Sequence, residues 1–142
     1  MLPARNRLRT GADFSHTVRS GVRQGRRNVV LYAVLSESEA PSRFGFIVSK
    51  AVGNAVTRNL VKRRLREASA ETLRDQPAGI DVVVRALPAA ASADWASLRG
   101  DYASALRGAL RRLSPATGGR TTVDGGTQPG GGTREDLDGS GE

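Results

Sequence analysis

Residues 49–67 read SKAVGNAVTRNLVKRRLRE, and the fold turns on how this stretch is placed. Asn54 opens a helical pattern that runs to about Arg74, before Pro77 and Gly79 end the region. At about 100° per residue, Arg58, Lys62 and Arg66 fall in one line, flanked by Asn59 and Arg63. Val61, Leu65, Ala68 and Thr72 occupy a neighbouring arc that can face a sheet. The stretch therefore predicts a helix with a buried stripe beside a dense basic ridge. Glu67 and Glu71 are its only nearby acids, too few to neutralise the ridge. A solvated charged face is the plain reading. The deficit of acids favours a phosphate-binding face, because an arginine fork holds phosphate oxygens in pairs and Asn reaches ribose or base edges.

Strands are expected on both sides of this helix. VVLYAVL (29–35) is an apolar, β-branched run, RFGFIVSK (43–50) a second strand and IDVVVRA (80–86) a third. The polar stretch 36–42, with Pro41, connects the first two. Before them, Thr10 and Asp13 resemble a capping box and Gly21 a C-terminal cap, so 11–20 reads as a short helix with Phe14 and Val18 on one face. After them, Ser92 or Asp94 caps a last helix to about Leu113. Trp95, Leu98, Tyr102, Leu106, Ala109 and Leu113 recur along it at helical spacing. The order α-β-β-α-β-α predicts an α+β two-layer sandwich, a small sheet covered by helices.

Charge divides the 142-residue chain in two. The whole carries +8, from 22 Lys and Arg against 14 Asp and Glu. Residues 1–113 hold 20 basic and 9 acidic side chains, whereas residues 114–142 hold 2 and 5. A compact domain at +11 attracts polyanions, nucleic acid first and an anionic membrane second. The Gly-rich acidic segment 114–142 has almost nothing apolar to bury and reads as a disordered tail to a single domain, 1–113. Residues 1–9 form a basic arm with Arg5, Arg7 and Arg9 around Asn6.

Several functions are excluded or disfavoured. With no cysteine there is no disulfide, thiolate metal site or Cys nucleophile. No apolar run nears the roughly 20 residues of a membrane span, and the N-terminus lacks a signal peptide's apolar centre. A soluble, cytoplasmic protein is expected, without membrane attachment or an obligate protein partner. P-loop, dinucleotide and zinc patterns are absent. A protein nuclease needs clustered carboxylates or histidines. The sole histidine, His16, reads as a surface residue, and Glu37, Glu39, Asp81, Asp94 and Asp101 are scattered, so no catalytic residue or metal site is expected in this chain.

The 49–67 stretch closely resembles the signature of the bacterial ribonuclease P protein family, roughly S-K-x-[VI]-G-x-A-V-x-R-N-R-x-K-R-x-x-R-E. The matching residues are Ser49, Lys50, Val52, Gly53, Ala55, Val56, Arg58, Asn59, Lys62, Arg63, Arg66 and Glu67. Arg5–Leu8, Asp13 with Phe14, Val30–Tyr32 and Ile80–Arg85 also occupy family-like positions, so the likeness spans about residues 5–113. Leu60, Val18 and Ala51 depart from it, replacing an arginine, an aromatic and a lysine.

The resemblance implies a protein subunit of a ribonucleoprotein. Its catalytic RNA, with bound Mg²⁺ and no organic cofactor, removes the 5′ leader of precursor tRNA. It also implies an unusual left-handed crossover through the basic helix. On this reading Arg58, Asn59, Lys62, Arg63, Arg66, Asn54, Arg5 and Arg7 contact the RNA subunit. Phe14, Val18 and Tyr32 line a leader cleft between the first helix and the sheet, with Lys50 near it, and stacking on aromatics would tolerate any leader sequence. Core packing is the competing reading for Phe14, Val18 and Tyr32. The alternatives for the chain are a structural RNA-binding protein of ribosomal-protein type and, less favoured, a DNA-binding module, since no helix-turn-helix partner precedes the basic helix.

Overall fold

A computed structural model describes residues 2–113 of the chain; the expected tail, 114–142, lies outside the described residues. The expected helices appear as α1 (Gly11–Ser20), α2 (Ala55–Asp75) and α3 (Trp95–Leu113); α1 and α3 are opened by an expected cap, and α2 by Asn54, where it was expected to start. Thr10 accepts from the Asp13 amide, Asn54 Oδ1 from Thr57 N at 2.9 Å and Asp94 Oδ1 from Ser97 N at 2.8 Å. The box at α1 is one-sided: the Asp13 carboxylate turns to Arg43 instead of back to Thr10. Gly21 does close α1, but with φ −83° it is not left-handed. A Cβ there would meet the carbonyl oxygens of Thr17 at 2.5 Å and Ala33 at 2.7 Å, so the glycine permits close packing.

The sheet has four strands where three were expected: β1 (Val22–Gly25), β2 (Val29–Leu35), β3 (Arg43–Ile47) and β4 (Ile80–Ala86), in the order β1-β2-β4-β3. The missed strand, VRQG, has one apolar residue and sits at an edge, where pairing with β2 replaces intrinsic propensity. β3 ends at Ile47; residues 48–50 lead into a turn instead of extending the strand to 50. β1–β2 and β2–β4 are antiparallel, and β3–β4 is parallel. The basic helix α2 thus connects two neighbouring parallel strands, as expected.

The two faces of the sheet differ. Val29, Leu31, Ala33, Phe44, Val82 and Val84 point to one side and form the core with Val61 and Leu65 of α2 and Leu98, Tyr102 and Ala109 of α3. α2 packs beside β3, and α3 crosses β1 and β2. The alternate residues point the other way. There Gly45, next to core-facing Phe44, meets the ring of Phe14, so α1 lies on the opposite face. Helices therefore flank the sheet on both sides, beyond the two layers expected. The N-terminal arm is docked as well: Leu2, Asn6 and Leu8 are buried, Asn6 Nδ2 donates to Ser42 O at 2.7 Å, and Arg7 bridges to Phe44 of β3.

Candidate nucleic-acid interface

The ridge of α2 forms as the spacing predicts. Val61, Leu65, Ala68 and Thr72 are buried, together with Ser69, while Asn59 and Arg63 are exposed and Arg58, Lys62 and Arg66 half-buried beside the core stripe. Among the described residues none of Arg58, Lys62, Arg63 or Arg66 has a carboxylate partner; the three ion pairs are Arg43–Asp13, Arg43–Asp81 and Arg99–Glu71. Arg58 is steadied by its Nε, which donates to Gly53 O at 3.1 Å. Arg64 is turned away from the ridge and ties α2 to Ala93 O at 3.2 Å. Leu60 stands about 200° around the helix from Arg58 but one turn before Arg63, so it borders the ridge on the Arg63 side.

The second surface is the α1 face of the sheet. Register aligns Gly45, Val83, Tyr32 and Arg23 in one row across the four strands, and Ile47, Arg85, Val30 and Gly25 in the next. Phe14 covers the Gly45 end of the first row: a Cβ at position 45 would lie 2.5 Å from Phe14 Cζ. Phe14, Val18 and Tyr32 are each half-buried, so none is a sealed core residue and each keeps an accessible part. α1 is anchored over this face by Arg43, whose Nε and Nη2 donate to both Asp81 oxygens at 3.1 and 2.9 Å and whose Nη1 reaches Asp13 at 3.3 Å.

The two surfaces meet at the carboxyl end of the parallel strands. Arg85 is exposed and in register with Ile47, and exposed Lys50 follows three residues later. Asn54 and Arg58 then begin α2 at the same end. Arg5 and Arg7 are exposed on the arm along the β3 edge; Arg7 Nε donates to Leu2 O at 3.0 Å. Arg23, Ile47 and Arg85 were missed as candidates. The period of two through IDVVVRA pointed to Arg85 opposite Val84, but only strand pairing sets it beside Tyr32's row.

Five of the carboxylates are engaged away from the ridge. Asp13 and Asp81 hold Arg43, Glu71 holds Arg99, Asp101 accepts from Asn28 N and Nδ2 at 2.9 Å, and Asp94 caps α3. Among the described residues no three of His, Asp and Glu group to hold a metal ion. His16 is exposed on α1. No helix among them is long and apolar enough to cross a membrane.

This arrangement coincides with a known family: the family model described as Ribonuclease P matches residues 2–110. The chain belongs to the ribonuclease P protein family. It is similar to the ribonuclease P protein component of Pseudarthrobacter chlorophenolicus, 67% identical over 114 residues that cover 80% of this chain and 84% of the relative. The counterpart from Kocuria rhizophila is also 67% identical over 114 residues, covering 80% of this chain and all of that protein. Among solved structures, a Staphylococcus aureus RNase P protein variant with defective mRNA degradation activity aligns with TM-score 0.67 at 28% identity, covering 74% of this chain and 88% of that one. The Thermotoga maritima RNase P protein aligns with TM-score 0.62 at 26% identity, covering 78% and 99%. As a member of the ribonuclease P protein family, the chain is an RNA-binding component of a tRNA-processing ribonucleoprotein and associates with the ribonuclease P RNA. The alternative, a structural RNA-binding protein of ribosomal-protein type, is not favoured.

Proposed function

We propose that this chain binds the ribonuclease P RNA through the α2 ridge and holds the 5′ leader of precursor tRNA on the α1 face of the sheet. The observation that carries the reading is the unneutralised ridge of Arg58, Lys62, Arg63 and Arg66, continuous at the strand ends with Lys50 and the half-open platform of Phe14 and Tyr32. Asn54 and Asn59 add polar contacts, and Arg5 and Arg7 extend the basic surface along the β3 edge. Val18 borders the platform without an aromatic ring to stack. Arg23 and Arg85, on the same face, would neutralise leader phosphates.

The residues here do not suit Mg²⁺, since among the described residues no three carboxylates or histidines stand together and five of the carboxylates already bind arginine, asparagine or a helix end. The phosphodiester chemistry and its Mg²⁺ are therefore assigned to the RNA subunit, and this chain positions substrate and screens charge. Reconstitution with the RNA subunit and precursor tRNA at low Mg²⁺ tests the reading. Cleavage should rise well above that of RNA alone, and equal cleavage with and without the protein would refute it.

A further inference from the structure

A second basic surface lies at the β1 edge, away from α2. The segment 21–28, GVRQGRRN, carries three arginines and no acid. It folds as β1 and the turn into β2, and α3 packs against it. Gly108 makes the approach close: a Cβ there would lie 2.6 Å from Gln24 Oε1 and 3.4 Å from an Nη of Arg26. Arg26 is held by neutral acceptors only, Nε to Ser104 Oγ at 2.9 Å, Nη2 to Ser104 O at 3.1 Å and Nη1 to Gly25 O at 2.8 Å.

Ser104, Gly108, Arg111 and Arg112 stand at i, i+4, i+7 and i+8, one face of α3, so Arg26 lies one turn from two further exposed arginines. Arg27, also exposed, continues the strip into the turn. None of these four has a carboxylate partner among the described residues. The acid on this face of α3, Asp101, accepts from Asn28. A helix C-terminus favours cations, which explains Arg111 and Arg112 in part. It does not explain why Arg26 and Arg27 are brought to the same face.

We propose that Arg26, Arg27, Arg111 and Arg112 form a second contact for an RNA phosphodiester backbone, separate from the α2 ridge. The inference rests on the reading of this chain as an RNA-bound subunit. Arg26 supplies charge, its N–H groups being largely used, whereas Arg27, Arg111 and Arg112 keep their forks free for phosphate. The sheet, roughly 14 Å across its four strands, separates this strip from the ridge beside β3. A folded RNA could therefore engage both edges at once.

The test compares the full chain with the triple variant Arg27→Ala/Arg111→Ala/Arg112→Ala and its Lys counterpart, with Arg58→Ala as a ridge control. One arm measures affinity for the ribonuclease P RNA alone. The other measures affinity of the RNA–protein complex for precursor tRNA. A loss of tenfold or more in either arm, a salt slope shallower by about 2–3, and recovery in the Lys variant at unchanged melting temperature are expected. The arm that shows the loss identifies whose backbone is bound. Wild-type affinity in both arms while Arg58→Ala binds weakly would overturn this proposal alone, leaving the strip solvated or facing the chain's own acidic residues 114–142. If Arg58→Ala is also silent, the broader reading of the ridge falls with it.

Discussion

The Phe14 ring occupies the space that a side chain at position 45 would need: a Cβ on Gly45 would lie 2.5 Å from Phe14 Cζ and 3.2 Å from Leu8 Cβ. Helix α1 and the docked N-terminal arm therefore both depend on a bare backbone at the centre of β3. Gly45→Ala should push Phe14 and α1 off the sheet and lower stability by about 1–3 kcal/mol. Denaturant unfolding reads this directly, and an unchanged midpoint would mean that α1 shifts freely.

Phe14→Ala separates the two uses of the ring. Phe14 is only half-buried, so its loss should cost less than the roughly 3–5 kcal/mol of a fully buried phenylalanine. Binding of precursor tRNA should weaken by about 1–3 kcal/mol, the worth of one base–aromatic stack, with affinity for mature tRNA barely changed. Equal weakening for both RNAs in a folded variant would remove Phe14 from the leader site.

On α2, Arg58→Ala and Arg66→Ala should each weaken binding to the RNA subunit by about 1–3 kcal/mol if each makes a charged hydrogen bond to phosphate. The effect should shrink at high salt as counterion release contributes less. Leu60→Arg should leave RNA affinity unchanged or raise it, because position 60 stands one turn before Arg63 at the border of the ridge. Wild-type binding by both alanine variants in low salt would reduce the ridge to a solvated face.

Arg43 joins α1 to the sheet through Asp13 and Asp81. Arg43→Ala would strand the Asp81 carboxylate, whose side chain is only 8% exposed. The guanidinium itself is 36% exposed, so solvent screening limits the expected destabilisation to about 1–3 kcal/mol. Arg43→Lys should recover only part of this, since one ammonium cannot reproduce the fork that binds both Asp81 oxygens. Thermal melts of the two variants provide the check.

The Tyr102 hydroxyl is buried between α2 and α3, 2.8 Å from Thr72 Oγ1, and burial pushes its pKa up to about 12. The phenolate is the form the fold disfavours, so the unfolded chain loses this proton first, near pH 10. The corresponding stability is complete below pH 10 and declines as pH rises towards about 12, by at most about 3 kcal/mol. Tyr102→Phe should flatten that alkaline decline in a pH series of melts. A decline of the same size in the variant would assign it to other groups.

Local chemistry alone determined much of this protein. The caps at Thr10 and Asn54, the 3.6-residue stripes of α2 and α3 and the β-branched runs of β2 and β4 act over one or two turns, and they appear where the residues place them. The ridge was legible for the same reason: helical geometry aligns Arg58, Lys62 and Arg66 whatever the helix packs against. Strand pairing and packing decided the rest. VRQG becomes β1 only because β2 offers an edge, and Arg85 joins the row beside Tyr32 only through the β2–β4 register. Phe14 reaches Gly45, and Arg26 reaches Ser104, across 31 and 78 positions of sequence respectively. Such contacts depend on how elements stack, which no local propensity encodes. Only the family resemblance pointed to the Phe14–Tyr32 face, and strand register set its row of neighbours. The second arginine strip belongs to the tertiary structure alone.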